Sequence, residues 1–120
     1  MHVFPDQALL DALLGDEVGQ IQLNPYGLGF AFSSGKHLSA EWRVVHVEPD
    51  GTSWSIDCQA LGASPLVLNR LLYKPIVAVE REDLQLTLRL EDGSALFILS
   101  ELGPYESGVL TLPDGGFVAF

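Results

Sequence analysis

Basic residues are scarce: six Lys and Arg stand against sixteen Asp and Glu, for a formal net charge of −10. Proteins that grip phosphate backbones or anionic lipid do so with Lys and Arg that displace counterions. Neither nucleic acid nor a membrane surface is therefore an expected partner, whereas a basic partner or plain solubility suits the balance. Cysteine is nearly absent. Cys58 alone excludes an internal disulfide and makes the cytoplasm the default compartment. No apolar run approaches the roughly 18 residues needed to span a bilayer. The N-terminus, MHVFPDQALLDALLG, lacks the basic start and small-residue cleavage site of a signal peptide. No HxH, HxxxH or CxxC spacing occurs, and His2 and His37 lie in a terminus and beside a turn, so no dedicated metal site is expected. The acidic pairs Asp16-Glu17, Glu82-Asp83 and Glu91-Asp92 lack the ligand spacing of a calcium loop. The glycine stretches NPYGLGF and PDGGF match neither a dinucleotide fingerprint nor a phosphate loop, and no cofactor is expected.

What remains is a chain of 120 residues, 48% hydrophobic and 18% charged, suited to one domain with a real core. Its clearest pattern is LQLTLRLEDGSALFIL, Leu84 to Leu99, in which apolar residues hold the even positions on both sides of Asp92-Gly93. A two-residue turn would put Leu88 and Leu96 on opposite faces. A three-residue loop, Glu91-Asp92-Gly93, keeps them together: Leu90 pairs with Ser94, Leu88 with Leu96 and Leu86 with Ile98. Such loops place their third residue at positive φ, where glycine is favoured. Ser33-Ser34-Gly35, Pro49-Asp50-Gly51 and Pro113-Asp114-Gly115 fit the same rule. They set Phe30 against Leu38, Tyr26 against Trp42, and His46 against Trp54.

The chain also reads as if written twice. Leu13 to Leu38 aligns without gaps on Leu71 to Leu96, an offset of 58, and VEPDGTSWSI aligns on TLPDGGFVAF at an offset of 64. The second copy therefore carries about six extra residues near ELGPYESG, Glu101 to Gly108. Each copy opens with a short helical pattern. PDQALLDALLG ends at Gly15, and SPLVLNRLLYKP has Ser64 as N-cap, Pro65 at the first helical position and Pro75 as stop. The expected fold is α+β: a helix followed by about four antiparallel strands, twice, forming one sandwich or barrel-like core with two short helices. The repeats span about 5–58 and 64–120 of a single domain, since a half of under about 60 residues is marginal alone. Gly27 and Gly29, inside a strand pattern, point to a bulge or close backbone approach. Phe97 and Leu99 oppose polar partners on the odd face, so the last hairpin should be covered on both sides by a helix or a second subunit.

Two groups of residues stand out as candidate sites. GPYESG belongs to the extra segment, which duplication does not explain, and loops on a rigid scaffold commonly carry binding groups. There Tyr105 offers an aromatic face, Glu106 a carboxylate and Ser107 a hydroxyl. The second group is His46 with Trp42, Trp54 and Cys58. A Cys-His pair can serve as nucleophile and base when the thiol is accessible and low in pKa. Leu110 stands at the place of His46 in the second copy, which argues for a core position instead.

LLG followed by Ile21, the turn from Asp92 to Leu96, and Tyr105-Glu106-Ser107 together resemble an uncharacterised family of small bacterial proteins. Two features depart from its pattern: Ser33-Ser34-Gly35 replaces one DG turn, and Gly108 follows YES where an aromatic is usual. The resemblance implies a soluble bacterial protein and carries over no catalytic residues. The function expected is a non-catalytic binding or protein-interaction domain, with a protein partner or a second copy of the chain; a basic toxin is one version of the former. The alternative is a small-molecule site, possibly enzymatic, lined by aromatics of the first copy: Tyr26, Phe30, Phe32, Trp42 and Trp54.

Overall fold

A computed structural model describes residues 3–25, 27–63, 65–102 and 106–120. The expectations for His2, Tyr26, Ser64 and Tyr105 fall outside these residues.

Glycine sets the hairpins. Gly35, Gly51, Gly93 and Gly115 have φ of 97°, 91°, 91° and 92°. Each N–H closes its turn on the residue three before it, as from Gly93 to Leu90 O at 3.0 Å, and the strand pairing resumes one residue on, as from Leu90 N–H to Ser94 O at 2.9 Å. The register follows as the alternation requires. Leu88 pairs with Leu96 and Leu86 with Ile98, Phe30 with Leu38, and His46 with Trp54.

Ten strands result among the described residues. They are β1 (Val18–Asn24), β2 (Gly27–Phe32), β3 (His37–Ala40), β4 (Arg43–Val47), β5 (Ser53–Asp57), β6 (Ile76–Glu82), β7 (Gln85–Leu90), β8 (Ala95–Leu99), β9 (Gly108–Thr111) and β10 (Phe117–Ala119). They form two five-stranded antiparallel sheets, β1-β2-β3-β9-β10 and β5-β4-β8-β7-β6. The chain thus changes sheet between β3 and β4 and returns between β8 and β9. Two residues, Glu41 and Trp42, make the first crossing, and residues 100–107 make the second.

Positions 58 apart also play matching parts. β1 and β6 each shift register near their start, between Val18 and Gln20 and between Ile76 and Ala78. Gly15 N–H bonds Ile76 O at 2.8 Å while Tyr73 N–H bonds Val18 O at 2.9 Å, and Glu17 bridges Pro75. Gly15 has φ 79°, and Tyr73, at 62°, is the non-glycine residue that takes this conformation among those described.

The helical content departs from the expectation. The first pattern gives a four-residue helix, α1 (Gln7–Leu10), running into a 3-10 turn at Asp11–Leu13. The second gives a 3-10 turn alone, Leu68–Leu71, so Pro65 is not its first residue, and Pro75 lies in the bridge to Glu17. Neither start has a side-chain cap, and helix nucleation is unfavourable in so short a segment. Among the described residues the strands number five on each side of the connector, where about four were expected.

One buried cluster draws on everything. Leu28, Phe30, Phe32, Leu38 and Leu110 enter it from one sheet, and Val44, Ile56, Leu86, Leu88, Leu96 and Ile98 from the other. Leu10, Leu13, Leu68 and Leu71 join from the helical turns. Each such side chain contributes about 1.5–3 kcal/mol by leaving water. Phe4 stacks on Phe120, ring centroids 4.3 Å apart. The turns lie against β6 and β1, and Phe97 and Leu99 stay half-buried where cover on both sides was expected. Gly27 marks a close backbone approach, since a Cβ there would lie 3.0 Å from Ala40 O, whereas one at Gly29 would meet the Gln22 and His37 side chains. No helix among the described residues is long and apolar enough to cross a membrane.

Candidate functional site

The two crossings between sheets lie side by side: Glu41 N–H donates to Ser107 O at 2.7 Å. Between them opens a cleft of about 360 Å³ lined by Glu41, Trp42, Gln59, Glu101, Glu106 and Ser107. Its origin is local. β3 ends at Ala40 and β4 starts at Arg43, so Glu41 and Trp42 must turn the chain and cannot be absorbed into a ladder. The second crossing has eight residues for the same step.

Glu41, Glu101 and Glu106 are exposed, and Trp42 is half-buried against them. Like carboxylates on one rim repel each other, and the low-dielectric indole wall limits screening. A cation relieves both. Among the described residues no three His, Cys, Asp or Glu converge as a metal site would require.

The structure brings Trp42 together with Glu106 and Ser107, which the sequence reading had kept in separate groups. Ser107 itself is buried at 2% exposure, its Oγ 3.3 Å from Ser100 Oγ and accepting from Glu101 N–H at 3.2 Å. Its N–H bonds Phe120 O at 2.6 Å. These bonds anchor the loop to the chain's last residue and leave Glu106 to face solvent. Gly108 allows it: a Cβ there would run into Ser39 O and the Phe120 ring, which explains why no aromatic follows.

The structure separates His46 from Cys58. Cys58 N–H bonds Trp42 O at 2.9 Å, at the opposite end of the β4–β5 hairpin from the His46–Trp54 pair. His46 lies four residue steps along the strand from Trp42, about 13 Å. Cys58 is fully buried, and burial pushes its thiol up to about 11, away from the thiolate a nucleophile needs. His46 is buried at 1% exposure with neither ring nitrogen hydrogen-bonded. Burial lowers its pKa from 6.5 by more than the carboxylates of Glu48 and Asp92 raise it, and Arg70 adds to the lowering.

Trp54 belongs to a network that the sequence reading missed. Its Nε1 donates to Glu48 Oε2 at 2.9 Å, and the other Glu48 oxygen accepts from Arg70. These bonds hold the Glu48 carboxyl below its ordinary range. A signal was present: His46, Glu48 and Trp54 stand where the offset of 64 places Leu110, Leu112 and Val118. Phe30 and Phe32 are core residues, so the first-copy aromatics do not gather on one wall.

No family model matches the chain, and no curated protein matches it in sequence.

Proposed function

We propose that the chain is a non-catalytic binding domain that takes a cationic side chain, Arg or Lys, of a protein partner into the acidic cleft between its sheet crossings. The observation that carries this is the grouping of Glu41, Glu101 and Glu106 around Trp42. A guanidinium can lie on the indole face and reach carboxylates at its edges. The net charge of −10 draws a basic partner from a distance and falls off with salt. The lone cysteine and the bacterial resemblance support an encounter in a bacterial cytoplasm.

The scaffold under this cleft is, on the same proposal, two copies of one αβ unit about an approximate two-fold axis at the Glu17–Pro75 bridge, packed as a sandwich. Each unit lends its last two strands to the other's sheet. The unequal crossings are then the place where the symmetry fails, and that failure makes the cleft.

The test is a titration of tryptophan fluorescence with an arginine-rich peptide and with its citrulline counterpart, which keeps the shape and loses the charge. Saturable binding of the arginine peptide, weakened about tenfold by Glu41→Gln/Glu106→Gln and by raised salt, is expected. Equal binding of the citrulline peptide, or full retention by the double variant, would sink the reading.

A further inference from the structure

β1 and β6 are both end strands, each followed by a partner strand in matching register. The free edge of β6 is occupied by the chain's own start. Phe4 N–H donates to Asp83 O at 3.0 Å. Gln7 Nε2 donates to Val79 O at 2.9 Å, and its Oε1 accepts from Arg81 N–H at 3.1 Å. Arg81 in turn donates to Pro5 O at 3.2 Å and Phe4 O at 2.8 Å. Val79 and Arg81 therefore direct their backbone groups away from β7.

The positions 58 earlier on β1 are Ile21 and Leu23, whose backbone groups point outward by the same parity. Among the described residues no such cover is present there. Gly62 and Pro65 stand where Phe4 and Gln7 would, so the ring and the carboxamide are gone, and Leu23 replaces Arg81. No described residue bonds the outward C=O of Ile21 or N–H of Leu23. Beside this edge lies an apolar groove of about 280 Å³ lined by Ile21, Leu23, Leu66, Leu68, Asn69 and Leu72, with Leu23 62% exposed.

Charge selects the occupant. VGQIQLN, Val18–Asn24, contains no charged residue in a chain of net charge −10. It also lacks the lysine or proline that guards an exposed edge. β6 carries Glu80, Arg81 and Glu82 and is covered. Two copies that repel each other over the rest of their surfaces can meet on the uncharged strand without facing like charges.

We infer that β1 is a homodimerisation edge on which a second copy lays its own β1 antiparallel. Gln22 sits at the two-fold, and each Ile21 exchanges backbone hydrogen bonds with the partner's Leu23. The two sheets become one of ten strands, and each Leu23 gains apolar cover from the partner's groove. This rests on the bare edge and not on the acidic cleft, so either proposal can fail without the other.

Sedimentation of the full chain tests it, alongside Leu23→Glu, Leu23→Pro and Phe117→Glu. The first puts a charge in each half of the seam. The second removes an outward N–H while sparing the bonds to β2, a change edge strands accommodate, and circular dichroism checks that each variant folds. The third alters β10, the opposite end of the same sheet. A wild-type dimer with Kd below about 100 µM, strengthened by salt that screens the residual repulsion, is expected. Both Leu23 variants should weaken it at least tenfold, and Phe117→Glu should leave it. A monomeric wild type, a dimer indifferent to both Leu23 changes, or one broken by Phe117→Glu would overturn the inference.

Discussion

Strand β6 and strand β1 end their sheets in the same way and meet opposite fates. Phe4, Gln7 and Arg81 seal one edge, while Leu23 and a groove of leucines leave the other open among the described residues. The inner positions differ as well: His46, Glu48 and Trp54 form a polar set where Leu110, Leu112 and Val118 stand on the other side. Matching backbones therefore constrain these side chains very little. Where one edge strand is sealed, the other is left to present its edge, and such departures between similar strands are where binding is sought.

The comparison breaks most visibly at Phe4. Phe4→Ala, which brings the sealed edge closer to the glycine of the open one, should cost about 3–5 kcal/mol through the vacated space against Phe120. Urea denaturation measures it, and an unchanged midpoint would detach the N-terminal segment from the folded unit. Next is His46→Leu, which installs the residue of the other side. Removing two unpartnered buried nitrogens should stabilise by about 1–3 kcal/mol.

The same substitution carries a pH signature. The folded-state pKa of His46 lies below its ordinary 6.5, so the unfolded chain takes up the proton first. Stability from the neutral ring is complete above about pH 6.5 and falls as pH drops from there toward the lowered folded value. Thermal melts of wild type should lose stability over that window relative to His46→Leu. Parallel curves would mean that the ring does not titrate as its burial requires.

Gly93→Val should destabilise by at least ~1 kcal/mol, since a β-branched residue resists the φ of 91° found there. The smallest effect concerns Gly15 and Tyr73. Tyr73→Gly should gain up to about 1 kcal/mol by relieving its left-handed conformation, and a loss in chemical denaturation would show that the exposed ring earns its place by packing.

Much of this was legible beforehand. The parity of Leu88 and Leu96 demanded a three-residue turn, and Gly35, Gly51, Gly93 and Gly115 all have the predicted conformation. The offset of 58 aligns the segments whose strands β1 and β6 share a register shift near their start. The helices were overestimated because Leu66 to Leu72 has apolar spacing without caps or length, and packing against β1 left room for a single 3-10 turn. The cleft was half visible: Glu106 and Ser107 were singled out for the extra segment and Trp42 for its aromaticity. Their convergence was not, because it depends on two crossings meeting.

Local chemistry alone determined the turns, the strand register and the apolar face, because each depends on residues within a few positions of one another: a glycine at positive φ, a period of two, a charge at a loop. Only the tertiary structure decided that β4 pairs with β8 while β9 pairs with β3, and that Phe4 seals β6. These arrangements join segments tens of residues apart. Their free energy comes from shared burial and edge hydrogen bonds that no local pattern encodes.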